Sequence, residues 1–109
     1  MRVFEFSGRF EAEDAVVYAV CEHAPLTTQG TTRKRALELM LYAIDAYMQT
    51  LARRGEIDAG VEAGLLRVKR AKASARKRVG PLGTAGRVVA LEASLHRFVA
   101  EAQMDTAAA

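Results

Sequence analysis

The sequence contains few of the residues that build disulfides or metal centres. Cys21 is the single cysteine among 109 residues, which excludes an internal disulfide and a cysteine-based zinc site and fits a reducing cytosol. His23 and His96 have no ligand-spaced partner, so we expect neither a metal nor a cofactor. No apolar run approaches the roughly 18 residues that a membrane helix needs. Glu5 interrupts the apolar start of the chain, so we expect no signal peptide and a cytoplasmic location.

Residue patterns for catalysis are also lacking. Glu11, Glu13 and Asp14 cluster where the pattern predicts a hairpin turn, and Cys21 lies in an apolar segment without a neighbouring base. Neither arrangement supplies a nucleophile with its base or a pair of carboxylates held across a substrate. We therefore expect a protein that is not an enzyme.

The composition predicts one small domain with an aliphatic core, since half of the residues are apolar and only 6% are aromatic. A domain of this size buries only about two-thirds of its unfolded surface, so we expect a homo-oligomer whose interface adds to stability. Residues 1–64 contain 7 Lys or Arg and 10 Asp or Glu, whereas residues 65–109 contain 9 and 3. The acidic front and the basic rear indicate different partners for the two halves.

The first thirty residues have the pattern of strands. Phe4 and Phe6 alternate with polar residues before the pattern blurs at Ser7-Gly8, and the β-branched run Ala15–Cys21 is typical of a central strand covered on both faces. Together the two segments predict a hairpin with its turn near residues 13–14. Pro25 cannot donate to a strand ladder, and a short third strand is predicted over residues 26–29.

Residues 33–54 are predicted to form a long amphipathic helix. Thr31 or Thr32 can supply the N-cap hydroxyl, and Gly55 suits the position just past the C-terminus. Apolar residues at spacings of three and four form one face: Leu37, Met40, Leu41, Ile44, Met48 and Leu51. Asp45 is expected on the opposite, solvated face.

The rear of the chain combines a basic run with two predicted elements. Residues 65–70 predict a fourth strand, and a final helix is predicted from about Thr84. The apolar stripe of that helix would consist of Val88, Leu91, Leu95, Phe98, Val99 and Ala102. Residues 1–70 are therefore assigned to one domain, and residues 71–109 to a basic segment with a C-terminal helix.

The junction between the third strand and the long helix carries a recognisable pattern. It consists of Thr28-Gln29-Gly30-Thr31-Thr32, then Ala36-Leu37, Ala43-Ile44, Tyr47 and finally Gly55-Glu56. Over roughly residues 10–57 this pattern resembles the HicB family of antitoxins. The resemblance implies an α+β fold in the order β-β-β-α-β, similar to a truncated RNase H fold without its catalytic carboxylates.

The resemblance also implies a function. Members of the family oligomerise, bind the partner HicA, a small basic RNA-cleaving toxin, and block its active face; most also add a DNA-binding segment. An antitoxin of this kind works by occlusion, through an acidic surface that complements the basic toxin. The candidate partner-binding residues are Glu11, Glu13, Asp14 and Glu22. Residues 71–109 match neither DNA-binding appendage that is usual in the family, although the basic rear is a candidate DNA contact.

Arg33-Lys34-Arg35 departs from the family, in which acidic residues are common at the start of this helix. Cations in a first helical turn are unfavourable by about 0.3–1 kcal/mol each. Two interpretations stay open. The three charges can form a solvated run screened near the acidic turn, or they can contact a phosphate or an acidic partner beside the free N–H groups of the helix.

The run from Arg67 to Arg78 contains seven Lys or Arg in twelve residues. A solvated basic face and a nucleic-acid contact by counterion release both fit it. Since it lacks interleaved aromatic residues, any binding would be sequence-tolerant and salt-dependent. The alternative to an antitoxin is thus a nucleic-acid-binding accessory protein that uses the HicB-like domain as an oligomerisation scaffold. The candidate nucleic-acid contacts are Arg33, Lys34, Arg35, Arg67, Lys69, Arg70, Lys72, Arg76, Lys77 and Arg78.

Overall fold

The protein combines an antiparallel sheet with helices, which confirms the predicted α+β class. The computed structural model describes residues 2–69, 79–81 and 88–104. Within these ranges the strands are β1 (Arg2–Glu13), β2 (Val16–Cys21), β3 (Thr27–Gly30), β4 (Arg67–Lys69), β5 (Val79–Pro81), β6 (Val88–Ala93) and β7 (Arg97–Met104), and the helices are α1 (Arg33–Arg54) and α2 (Ile57–Glu62). Neither helix is both long and apolar enough to cross a membrane.

Strand β1 organises the sheet, whose order is β3-β2-β1-β7-β6-β5. Along one side, β1 pairs with β7 from Arg2 to Arg9. Along its other side, β1 pairs with β4 near its start and with β2 from Gly8 to its end. Residues on both sides of position 70 therefore share one sheet.

Helix α1 begins and ends where the sequence predicts. The Thr32 hydroxyl accepts a hydrogen bond from the Arg35 backbone N–H at 3.1 Å, which is the N-cap geometry. Gly55 adopts a left-handed conformation at φ 67°, and its N–H bonds to the Ala52 carbonyl. The Thr28 hydroxyl donates to the Ala36 carbonyl at 2.7 Å, so strand β3 is tied directly to the first turn of α1.

The core lies between α1 and one face of the sheet. Alternate residues of β1 and β7, among them Phe4, Phe6 and Phe98, are fully buried against the apolar stripe of α1. The Phe98 ring lies over Gly8, where a Cβ would come within 2.5 Å of the ring and 2.2 Å of the Val20 carbonyl oxygen. Glycine at this position thus makes room for an aromatic ring that spans the centre of the sheet.

Asp45 contradicts the expected solvated face of α1, because it is only 7% exposed. Its Oδ2 accepts a hydrogen bond from Gln49 Nε2 at 3.1 Å, one turn further along the helix. Its Oδ1 is buried without a hydrogen-bond partner among the residues that the structure describes. The buried arc of α1 is therefore wider than its apolar stripe.

The prediction of a C-terminal helix was wrong over residues 88–104, which form the hairpin of β6 and β7. Ser94 makes the turn, since its side-chain oxygen accepts from the Arg97 N–H at 3.1 Å and its own N–H donates to the Arg97 carbonyl. Leu95, expected in the helical stripe, is 60% exposed beside this turn. The spacing of the apolar residues in this segment fits a helix, but residues 97–104 form a strand because they hydrogen-bond to β1. Residues 84–87, the expected start of the helix, lie outside the described residues.

Candidate partner-binding surface

The sheet face that points away from α1 is the surface that carries the predicted acidic residues. Because side chains alternate along a strand, burial of Phe4, Phe6 and Ala19 against the helix directs their neighbours outward. We call this surface the open sheet face, since neither described helix packs on it. Its exposed and half-exposed residues are Ser7, Arg9, Glu11, Glu13, Val16, Tyr18, Val20, Thr27, Gln29, Arg97 and Val99.

The acidic hairpin, formed by Glu11, Glu13 and Asp14, lies at one end of the open sheet face. Glu13 pairs with Val16 across the turn, and Asp14 adopts a left-handed conformation at φ 56°. Glu11 makes an ion pair with Arg9 on the same side of β1. Glu13 and Asp14 are exposed and form no ion pair with any residue that the structure describes. The hairpin therefore offers uncompensated negative charge to solvent.

Glu22 is separated from the acidic hairpin. It lies just beyond β2, six residues from Val16, which corresponds to about 20 Å along a strand. Its carboxylate accepts from Arg97 at 2.6 Å and from the Ser7 hydroxyl at 3.2 Å. The hydrogen bond from Arg97 is the main reason that the pKa of Glu22 lies below its ordinary value of 4.5. The structure thus brings three of the four predicted acidic residues together and holds the fourth in an ion pair.

An apolar strip connects the two ends of the open sheet face. Val16, Tyr18 and Val20 of β2 are each half-buried on this side of the sheet, and β2 lies between β3 and β1 as the prediction of a central strand requires. Ala19 and Cys21, which alternate with them, are the members of the strand that enter the core. A half-buried tyrosine flanked by half-buried valines and bordered by charges has the composition of a protein interface. Sequence reasoning missed this strip because a nearly continuous apolar run hides which residues face solvent.

A buried ion pair lies on the same side of the sheet, near the start of β1. Glu101 of β7 is 1% exposed, and its carboxylate accepts from Lys69 Nζ at 2.5 Å. Glu5 lies 3.8 Å from the same ammonium group. Since β4 and β7 flank β1, Lys69 joins the two neighbours of the central strand. Lys69 was predicted to contact nucleic acid, but its charge is committed to these carboxylates.

The remaining predicted basic residues do not form one patch. Arg33 and Lys34 are exposed at the start of α1 without an ion pair in the described part of the chain, and Arg35 lies 3.7 Å from Glu38. Gly30, which precedes α1, pairs with Val17 near the acidic hairpin, whereas Arg67 pairs with Glu5. The two clusters thus lie at opposite ends of β1. The other predicted contacts, Arg70, Lys72, Arg76, Lys77 and Arg78, lie outside the described residues.

The side chains that could bind a metal ion or act as a nucleophile do not cluster in the part of the chain that the structure describes. The described residues contain no group of three His, Cys, Asp or Glu side chains able to hold a metal ion. Cys21 is buried, with its Sγ 3.7 Å from the Ser7 carbonyl. Burial, followed by the neighbouring Cys21, raises the pKa of Tyr47 above its ordinary value. What the surface offers is therefore contact area and charge.

Comparison of the chain with protein-family models, with curated proteins and with solved structures finds no match. The function has to be inferred from the surface itself.

Proposed function

We propose that the protein is a HicB-like antitoxin that binds a small basic RNA-cleaving toxin and covers its active face. The open sheet face is the observation that carries this proposal. It combines the uncompensated charge of Glu13 and Asp14 with the apolar strip around Tyr18, so it suits a basic protein rather than a nucleic acid. Binding of this kind needs no catalytic group, and both proteins would act in the cytoplasm, where the RNA substrate is.

The order of elements supports the same proposal. Three antiparallel strands, β1 to β3, precede α1, and β4 pairs with β1 after the short additional helix α2. A β-β-β-α-β arrangement of this order is what the resemblance to the HicB family implies. Thr28, in the centre of the resembling stretch, bonds to the first turn of α1 and so has a structural reason to be at that position.

The experiment is a co-purification followed by an RNA-cleavage assay. The neighbouring reading frame, if it encodes a small basic protein, is co-expressed with this chain, and cleavage by that protein is titrated with the purified antitoxin. We expect one-to-one inhibition per chain. The variant Glu13→Lys/Asp14→Lys should weaken inhibition by at least about tenfold at low salt, and less at high salt, because exposed charges are screened.

The matched control is Asp58→Lys/Glu62→Lys. It changes the net charge by the same amount on exposed residues of α2, and the ion pair that it breaks, between Arg2 and Asp58, lies away from the open sheet face. It should inhibit like the unmodified chain. The proposal fails if both double variants inhibit equally, or if no small basic protein co-purifies.

The alternative, a nucleic-acid-binding accessory protein, is favoured by one observation. Arg33 and Lys34 point into solvent without carboxylate partners in the described part of the chain, beside the free N–H groups of the α1 N-terminus. A heparin or DNA column distinguishes the two proposals. Retention that is lost on neutralising the basic residues from Arg67 to Arg78 other than Lys69, without a toxin neighbour, would support the accessory protein. Loss on neutralising Arg33 and Lys34 alone would instead locate the contact at the helix start.

A further inference from the structure

Two arginines lie opposite each other on the open sheet face. Arg9 of β1 and Arg97 of β7 are direct partners across the two strands, so their Cβ atoms lie about 4.5–5.5 Å apart on the same side of the sheet. Each side chain is about half exposed, 49% for Arg9 and 55% for Arg97. Like charges placed directly opposite each other destabilise a sheet, so this arginine pair opposes the fold at the point where it lies.

Carboxylates of the same chain engage the arginine pair only in part. Arg9 donates through its Nε to Glu11, which is two residues further along β1. Arg97 reaches across β1 to Glu22, with its two terminal nitrogens 2.6 and 3.4 Å from the carboxylate oxygens. A guanidinium carries more N–H donors than these bonds use, so most donors of the pair have no protein acceptor in the described part of the chain.

The arginine pair adjoins the apolar strip of the proposed interface. Arg9 lies directly opposite Val20 of β2, which is a member of that strip. On the other side, Arg97 is two residues from the half-buried Val99 on the same face of β7. An anion bound between these valines would be partly removed from water, where its interaction with a guanidinium is stronger. Arginine is also enriched where proteins meet, so the pair has the position and the residue type of an interface contact.

The surrounding charges favour a single carboxylate over a polyanion as the group that binds there. Glu11 and Glu22 adjoin the arginine pair, and the exposed acidic hairpin continues the same face. A nucleic acid brings a negative charge with every phosphate, and these carboxylates repel it. A basic protein is attracted by them, and one Asp or Glu side chain within its basic surface can accept paired hydrogen bonds from a guanidinium.

We propose that Arg9 and Arg97 together bind one carboxylate of the basic partner protein. This inference rests on the proposed function, because it concerns the partner of the same face. The partner carboxylate accepts N–H groups from both guanidiniums and offsets their mutual repulsion. The partner surface is then the charge inverse of this one, with an acidic residue surrounded by cations. A basic protein that lacks this acidic residue leaves both arginines without it in the covered interface, so the pair selects among basic partners.

The first test measures the Kd of the complex with the small basic protein encoded by the neighbouring reading frame. In Arg9→Gln/Arg97→Gln the open sheet face becomes more negative, so attraction between net charges alone predicts tighter binding. Loss of the carboxylate contact predicts the opposite change, a Kd raised by about ten- to hundredfold. The sign of the change therefore decides whether the arginines bind the partner.

The matched control is Arg53→Gln/Arg54→Gln. It removes the same charge at the end of α1, on the other side of the sheet, and should not raise the Kd. Circular dichroism verifies that both double variants fold.

The second test identifies the carboxylate of the partner. Each Asp and Glu of the partner is replaced in turn by Asn or Gln, and each replacement is measured against the unmodified chain and against Arg9→Gln/Arg97→Gln. One replacement should raise the Kd with the unmodified chain by about tenfold or more and have little further effect with the arginine variant, because the contact is already lost there. Additive effects at every partner carboxylate would exclude the proposal.

The outcomes separate this proposal from the proposed function. If Glu13→Lys/Asp14→Lys weakens binding while the arginine variant binds as tightly as the unmodified chain or more tightly, the antitoxin function remains and the carboxylate contact is excluded. If the neighbouring product forms no complex, both proposals fail. If an RNA column retains the unmodified chain and releases the arginine variant at lower salt, the arginines bind phosphate, which overturns the assignment to a protein carboxylate.

Discussion

The two faces of the sheet are built from the same strands and have opposite roles. The covered face, which packs on α1, contains Phe4, Phe6 and Phe98, all of them fully buried. The open sheet face has half-buried valines, Tyr18 and charged residues at its edges. Near the start of β1, the side of the sheet away from α1 also contains the buried ion pair of Lys69 and Glu101. The covered face is thus specified by packing, whereas the other side combines charged residues with the buried valines Val3 and Val89.

This difference predicts that substitutions on the covered face lower stability and that substitutions on the open sheet face alter mainly binding. Residues of the covered face have no other way to remove their apolar area from water, so they determine stability. Residues of the open sheet face are free to serve a partner because few of them support the fold. The buried ion pair is an exception, because it lies on the side of the sheet away from α1 and still contributes to stability.

The largest effect is expected from Phe6→Ala on the covered face. Loss of a buried aromatic ring and the cavity that remains should lower the free energy of unfolding by about 3–5 kcal/mol. Tyr18→Ala, on the open sheet face, should cost less than about 1.5 kcal/mol, since the ring is already half-exposed. Urea unfolding monitored by circular dichroism measures both. Equal losses would mean that the open sheet face is covered in solution.

Breaking the buried ion pair should come next. Lys69→Met leaves the Glu101 carboxylate buried without its cation, and we expect a loss of about 3 kcal/mol in urea unfolding. In Lys69→Met/Glu101→Met both charges are removed, and stability should return close to that of the unmodified chain. If the double variant is as unstable as the single one, the pair has a packing role beyond its charge.

A smaller effect, of opposite sign, is expected at Asp45. Its Oδ1 is buried without a hydrogen-bond partner in the described part of the chain, so Asp45→Ala should raise the free energy of unfolding by about 1–2 kcal/mol. Gln49→Ala removes the hydrogen bond to Oδ2 and should instead destabilise the protein. Thermal unfolding of the two variants provides the measurement. A destabilised Asp45→Ala would indicate that the carboxylate has a partner in solution.

The smallest effect concerns Glu22 and depends on pH. The pKa of Glu22 is depressed in the folded state, so its ion pair with Arg97 stabilises the protein above pH 4.5, the ordinary value, and this contribution is lost as the pH falls through the folded pKa. An exposed pair contributes at most about 1 kcal/mol. The stability difference between the unmodified chain and Glu22→Gln should therefore be present at neutral pH and shrink in acid. A difference that is constant with pH would exclude the ion pair as its cause.

Some segments of the fold could be predicted from the sequence and others could not. The bounds of α1 followed from Thr32, the apolar stripe and Gly55, because caps and helical spacing are local signals. The acidic hairpin followed from local turn chemistry in the same way. The hairpin of β6 and β7 did not, although Ser94 and the β-branched pair Val88-Val89 were available as signals for a turn between strands.

The candidate site was predictable only in part, for a related reason. The acidic cluster at the hairpin was visible in the sequence. The pairing of Glu22 with Arg97 joins residues 75 positions apart, and that of Lys69 with Glu101 joins residues 32 positions apart. No local pattern indicates which distant charges become partners.

The sequence by itself determined the α+β class, the helix α1 with its caps, the first hairpin and the uneven distribution of charge. Each of these depends on interactions between residues close together in the chain. Only the tertiary structure decided that residues 88–104 are strands, that Asp45 is buried, and that Lys69 lies beside the carboxylates of Glu5 and Glu101. The physical reason is that β1 offers two hydrogen-bonding sides and two faces, and which segments occupy them is settled by long-range pairing and burial.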